Sequence, residues 1–156
     1  MNLKQTLPVR KKMRLQGYDY TNDNYYFITV CTKNKKKIFG EIQNGQMVYT
    51  NLGKIIDDII TTIPTVHDEV LIDKYVVMPN HVHLIISLEN REKKIGIPAI
   101  MRGFKSYTDR KYKENSNEDL WQTSYYDRII RNDKEYLKIW KYIDENILKW
   151  ELDCYY

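Results

Sequence analysis

Hydrophobic side chains along this chain follow two periods, and the switches between them lay out the elements. Tyr25–Thr32 (YYFITVCT) is rich in aromatic and β-branched residues and reads as a strand. Asn34–Lys37 is a polar turn. Ile38–Ile42 and Gln46–Thr50 flank Asn44-Gly45, a strong signal for a two-residue hairpin. Leu52, Ile55, Ile56, Ile59, Ile60 and Ile63 then keep a helical period, with Asn51 as cap and Pro64 as stop. Val70–Met78 is a strand, Pro79-Asn80 a tight turn or bulge, and His81–Leu88 the next strand. Glu89–Gly96 is a charged loop, and Pro98 opens a helix to about Lys113 with apolar Ile97, Ile100, Met101, Phe104, Tyr107 and Tyr112. Glu114–Asp119 (ENSNED) reads as a polar, mobile segment, and Tyr125–Ile130 as the last core strand. Asn132 or Asp133 caps a final helix to about Lys149, with a buried stripe of Tyr136, Ile139, Trp140, Ile143 and Ile147. The tail after Trp150 carries no pattern.

Without the inserted hairpin, the order is β-α-β-β-α-β followed by a helix. That is an α+β chain of the ferredoxin-like split βαβ type, whose first and third strands lie in mid-sheet. At 156 residues the expectation is one domain, 1–156, with residues 1–20 as a basic N-terminal arm.

Composition narrows the function classes. Apolar residues make up 42% and charged residues 29%, a globular balance, and no stretch has the apolar length of a membrane span. MNLKQTLPVRKKMR lacks the apolar core of a secretion signal. Cys31 and Cys154 are too few and too far apart for a disulfide framework or zinc knuckle, which fits a cytoplasmic protein.

The net charge is only +4, but the cations are grouped. Arg10, Lys11, Lys12 and Arg14 form one cluster, and Lys33, Lys35, Lys36 and Lys37 a second. Arg102, Lys105, Arg110, Lys111 and Lys113 form a third. Each alone reads as a solvated face; together they could line a phosphate-binding surface. Some of the fourteen tyrosines are candidates for stacking on bases.

Candidate chemistry centres on YVVMPNHVHLIIS, residues 75–87. Residues i and i+2 of a strand share a face, so His81 and His83 project side by side while Val82, Leu84 and Ile86 face a core. Two imidazoles on a rigid strand are half of a divalent-metal site, although a His-x-His pair alone is more often a pair of hydrogen-bonded rings. On the last helix, Tyr142 and Asn146 lie one turn apart beside the buried stripe, open enough to reach a substrate. Tyr125, Tyr126 and Tyr136 compete with Tyr142. A small metallohydrolase built on the histidine pair would need a third strong ligand such as a carboxylate, and no downstream spacing suggests one.

VVMPNHVHLII resembles the histidine–hydrophobic–histidine (HUH) segment of IS200-type tyrosine transposases, most closely their REP-associated relatives. FGEIQNGQM, FKS and LWQ…YYDRIIRNDKEY extend the resemblance in family order over almost the whole chain. The resemblance implies a central antiparallel sheet and a C-terminal helix bearing the nucleophile, which falls on Tyr142. Its metal site falls on His81, His83 and Asn146, and its ion on Mg²⁺ or Mn²⁺. The implied activity is cleavage and transfer of single-stranded DNA through a 5′-phosphotyrosine, with recognition of short hairpins. A hairpin-binding protein that has lost cleavage is the alternative. Arg10, Lys11, Lys12, Arg14, Arg102, Lys105 and Arg110 become candidate DNA contacts. A second copy of the chain is a candidate partner, since members include both dimers and monomers. One departure stands out: relatives commonly carry Asn-Pro where this chain has Asn146-Ile147.

Overall fold

The computed structural model describes residues 24–89 and 95–156. The expected basic arm, with Arg10, Lys11, Lys12 and Arg14, lies outside the described residues, as does most of the charged loop at 89–96.

Six strands and three helices form in the expected order. They are β1 (Tyr25–Cys31), β2 (Gly40–Gln43), β3 (Gln46–Tyr49), α1 (Asn51–Val66), β4 (Val70–Val77), β5 (His81–Leu88), α2 (Ile97–Lys113), β6 (Tyr126–Ile130) and α3 (Asp133–Asp144). The main sheet runs β4-β5-β1-β6, antiparallel throughout, and β2-β3 form a separate hairpin. This is the ferredoxin-like order, with β1 and β5 at the centre. Asn44 and Gly45 turn the hairpin at φ 52° and 73°, the left-handed pair that a two-residue connection needs.

The sheet is covered on both faces, so β5 is buried along its whole length. Tyr26, Ile28, Val30, Val82, Leu84 and Ile86 pack on one side with Ile56 and Ile60 of α1 and with Ile100, Met101 and Phe104 of α2. On the other side Phe27, Val76, Ile85 and Ile130 pack with Ile139 and Ile143 of α3 and with Trp150. The period-2 alternation of β1 and β5 thus feeds two cores at once.

Three element ends and one expected core position differ from the sequence expectation. The cap of α1 is Thr50, whose Oγ1 accepts from Gly53 N at 3.1 Å and donates to the Ile38 carbonyl at 2.7 Å. Pro64 sits inside the last turn of α1, which runs on to Val66. The ring forfeits one backbone hydrogen bond, and burial of Ile63 keeps the turn in place. α3 starts after its Asn132 cap but stops at Asp144 rather than Lys149. Beyond it Asn146 N bonds the Ile143 carbonyl at 3.2 Å and the chain tightens into turns, which lets Trp150 bury itself. Trp140, expected in the buried stripe, is 37% exposed, with Lys74 Nζ 3.8 Å above its ring.

The segment 114–119 is not the loose linker its composition suggests. Asp119 pairs with Lys33 at 3.0 Å and Lys113 at 2.8 Å, and Glu118 pairs with Lys36. These exposed pairs each contribute little to stability, but they engage cations that the sequence offered to phosphate.

Gly53 is where the backbone of α1 meets the residue that leads into the hairpin. A Cβ there would lie 1.9 Å from the Phe39 carbonyl oxygen. Alanine is the better helix former by about 1 kcal/mol. Gly53→Ala should nonetheless destabilise the chain by ~1–3 kcal/mol, through forced separation of packed backbone. Urea unfolding of both proteins measures this, and an unchanged or raised midpoint would count against the close approach.

Candidate functional site

The site is built outward from β5. His81 and His83 emerge on the α3 side of the sheet and are 0% and 1% exposed. Their Nε2 atoms lie 3.0 Å apart. Each ring is held by its other nitrogen. His81 Nδ1 lies 2.8 Å from Asn80 Oδ1, an amide oxygen that can only accept, so Nδ1 carries the proton and Nε2 presents its lone pair. His83 Nδ1 lies 2.7 Å from Thr29 Oγ1, directly across the ladder on β1. Phe27 stacks on the His83 ring at a centroid distance of 5.3 Å.

α3 brings Tyr142 over this pair, with its hydroxyl 3.4 Å from His83 Nε2. Tyr142 is 40% exposed, so the phenol touches both the histidines and solvent. Its ring meets Phe27 edge-on at 6.2 Å. The competing tyrosines are placed elsewhere. Tyr136 donates to Asp73 Oδ2 at 3.1 Å, Tyr125 packs in the first core, and Tyr126 stands on β6 with its ring 6.3 Å from Phe27.

Asn146 is buried in the turn after α3. Its Nδ2 donates to Asp153 Oδ2 at 3.0 Å, while its Oδ1 is buried without a hydrogen-bond partner. A buried amide oxygen with nothing to accept is costly and marks a place for a donor or cation.

The tail, patternless in sequence, closes the site. The Asp153 side chain is 2% exposed, with Oδ2 3.4 Å from the Tyr142 hydroxyl and 4.0 Å from His81 Nε2. Tyr155 lays its ring 4.5 Å from that of His81 and accepts from Asn80 Nδ2 at 2.7 Å through its carbonyl. Lys35 donates to the Cys154 carbonyl at 3.3 Å, and Lys37 sits 4.2 Å over the Tyr156 ring. Part of the second cationic cluster therefore holds the tail. No periodicity announces Asp153 or Tyr155, because a seven-residue tail follows no helical or strand period.

Electrostatics follow from burial. Burial pushes His81 down to about 4 against the pull of Asp153, and pushes His83 well below 6.5 with help from His81. Burial and the Asp153 carboxylate raise the Tyr142 phenol to about 12. Neutral imidazoles whose Nε2 atoms converge at 3.0 Å, beside an unpartnered amide oxygen, are a donor set suited to a divalent cation.

Three grooves lie around the site. One, of about 500 Å³, is lined by Arg102, Lys105, Trp121 and Gln122. It shares residues 121–125 with a second space that reaches Thr29 and Tyr155. Lys105 is committed to this wall, since its Nζ donates to the Gln122 carbonyl at 2.6 Å. Arg110 stacks over Tyr107 at 5.5 Å. A third groove beside Tyr142 is lined by Lys138, Lys141 and Lys149, cations that the sequence reading passed over.

Both rings bind protons more weakly folded than unfolded, so the stability they confer is complete above pH 6.5. For His81 it is lost as pH falls through about 4. In chelator, the unfolding free energy from urea titration should drop between pH 7 and 4.5, by up to about 3 kcal/mol from His81 alone. The drop should shrink in His81→Gln; equal pH slopes in both proteins would rule the buried neutral ring out.

Comparison with known proteins places this geometry. Residues 20–146 match the family described as "Transposase IS200 like". An uncharacterized protein of Haemophilus influenzae is 37% identical over 167 aligned residues, covering 94% of this chain and 93% of its own. Among solved structures, a REP-associated tyrosine transposase bound to a REP hairpin superposes with TM-score 0.67 at 20% identity, over 88% of this chain and 74% of that one. A crystal structure of a candidate transposase from Deinococcus radiodurans superposes with TM-score 0.54 at 19% identity, over 85% and 95%. The last two share the fold. No helix among the described residues is long and apolar enough to cross a membrane. From the match over most of its length and its relative in Haemophilus influenzae, the chain belongs to the IS200-like transposase family.

Proposed function

We propose that this protein is a metal-dependent, single-stranded DNA endonuclease and strand transferase, acting as one domain in the cytoplasm. The observation that carries the reading is the Tyr142 hydroxyl, 3.4 Å from His83 Nε2 within one chain. One chain then supplies both halves of the site, and a second copy is not required for cleavage.

In this reading Tyr142 Oη attacks a phosphorus of the DNA backbone. A P–O bond forms to the phenol and the bond to the 3′ oxygen breaks. The products are a 5′-phosphotyrosine and a free 3′-hydroxyl. The phenolic proton leaves to solvent, which the half-exposed Tyr142 reaches, and the departing 3′ oxygen takes a proton from solvent. The exchange of one phosphoester for another conserves bond energy, so another 3′-hydroxyl can attack in turn and rejoin the strands without a nucleotide cofactor. His81, His83 and Asn146 would hold one Mg²⁺ or Mn²⁺, which when bound supplies charge neutralisation at the scissile phosphate. Phe27 and the α3 core keep the phenol aligned, and alignment is most of what a tyrosine nucleophile needs from its protein.

The substrate is single-stranded DNA beside a hairpin. The solved REP-associated transposase with the same fold holds a REP hairpin, which supports this choice. The groove at Arg102, continuous with the space beside Tyr155, supports a strand path to the site. Arg110 and the basic arm, Arg10, Lys11, Lys12 and Arg14, would grip the flanking duplex. A protein that binds hairpins without cutting them is the second reading, favoured by the raised pKa of the phenol beside Asp153.

Two measurements test the proposal. Hairpin-bearing single-stranded DNA with Mn²⁺ should yield a covalent protein–DNA adduct, abolished in Tyr142→Phe; an adduct that survives this change, or none from the wild type, defeats the cleavage reading. Arg102→Ala should weaken DNA binding and flatten the plot of log affinity against log salt by about one. A salt dependence like that of the wild type would move the strand path off this groove.

A further inference from the structure

The tail raises a question that the family's histidines and tyrosine leave unanswered. Asp153 is a carboxylate with a 2% exposed side chain, yet no lysine or arginine among the described residues lies within 4.0 Å of it. Its neighbours are His81, His83, Asn146 and Tyr142. A buried anion without a countercharge is expensive, and proteins meet that cost with a paired cation or a metal.

Three further observations converge on the metal. Ligand atoms of His81, His83 and Asp153 all lie within 4.8 Å of one another. Asn146 uses its Nδ2 to fix Asp153 Oδ2 at 3.0 Å, which leaves its own buried Oδ1 unpartnered beside the same carboxylate. Asp153 Oδ1 accepts from Tyr155 N at 3.0 Å, so the carboxylate is braced from both sides. The ligands from β5 and Asn146 are all neutral, whereas hard cations such as Mg²⁺ and Mn²⁺ favour sites that contain an anionic oxygen.

We infer that Asp153 is the anionic ligand of the divalent ion, delivered by the tail rather than by the tyrosine helix. The inference rests on the proposed metal site and adds to it a residue from a segment outside the family match, which ends at residue 146. It has a structural corollary. Tyr155 lies 4.5 Å from the His81 ring, and its carbonyl accepts from Asn80 Nδ2, so the ion and the seated tail hold each other in place. Ion affinity and tail order are then linked quantities, and each rises with the other.

The test needs no DNA. Isothermal titration of the full-length chain with Mn²⁺ should show a single site. Asp153→Asn, which keeps the side-chain shape, should weaken binding tenfold or more, and Asp153→Glu should recover part of the loss. His81→Ala should lose binding altogether. Paramagnetic broadening in the wild-type chain supplies a readout free of substitution: low Mn²⁺ should erase the amide signals of Cys154 and Tyr155 together with those of His81 and His83. Wild-type affinity in Asp153→Asn, or broadening of the histidines that spares the tail, would overturn the role of Asp153 while leaving the ion at His81, His83 and Asn146. A wild-type chain that binds no Mn²⁺ would overturn both readings.

Discussion

Two imidazole nitrogens, 3.0 Å apart, are the constraint to which the rest of the structure answers. With His81 Nε2 presenting a lone pair, a proton on His83 Nε2 makes this contact a hydrogen bond, and a bound cation would take that proton's place. The rings stay because each is pinned from behind, His81 by Asn80 and His83 by Thr29, and because the strand that carries them is sealed on both faces. The sheet order serves the same end. A central strand cannot shift without breaking two ladders, so the sheet holds the pair at this spacing.

The two cores have different duties. The one beneath α1 and α2 is large and contributes most of the apolar burial, while its side chains point away from the histidines. The one beneath α3 is smaller, and it sets where Tyr142, Asn146 and the tail come to rest. Trp150 links the two tasks. It fills the smaller core, and its ring lies 5.9 Å from that of His81, so burying one aromatic residue also turns the chain back over the site. The early end of α3 at Asp144 follows from this: a helix continued to Lys149 would carry Trp150 away from the core it fills.

Much of this was legible in the sequence because strong periodicity leaves little choice. The Asn44-Gly45 hairpin, the shared face of His81 and His83, and the mid-sheet position of β5 follow from turn chemistry, the period of two and the order of elements. The adjacency of Tyr142 to the histidines was suggested by resemblance, and the structure brings the two together. What stayed hidden was tertiary in origin. The cap of α1 went to Thr50 because its hydroxyl also reaches the Ile38 carbonyl, a partner from another element. Trp140 surfaced because the stripe of α3 is narrower than its hydrophobicity suggests, and Lys74 can cover the ring. Lys33 and Lys36 resembled a phosphate surface only until the acidic segment at 118–119 folded against them. Asp153 was invisible for the plainest reason: a carboxylate in a short irregular tail gives no signal until its neighbours are known.

The pairing of Thr29 with His83 depends on register alone. Adding or deleting one residue within β1 between Tyr26 and Thr29 would present Thr29's neighbour to the ring and turn Thr29 towards the opposite core. The fault would be one of parity, since two inserted residues restore the correct face while one cannot. Length variation among homologous chains should therefore accumulate in the β2–β3 hairpin, while β1 and β5 keep a fixed count.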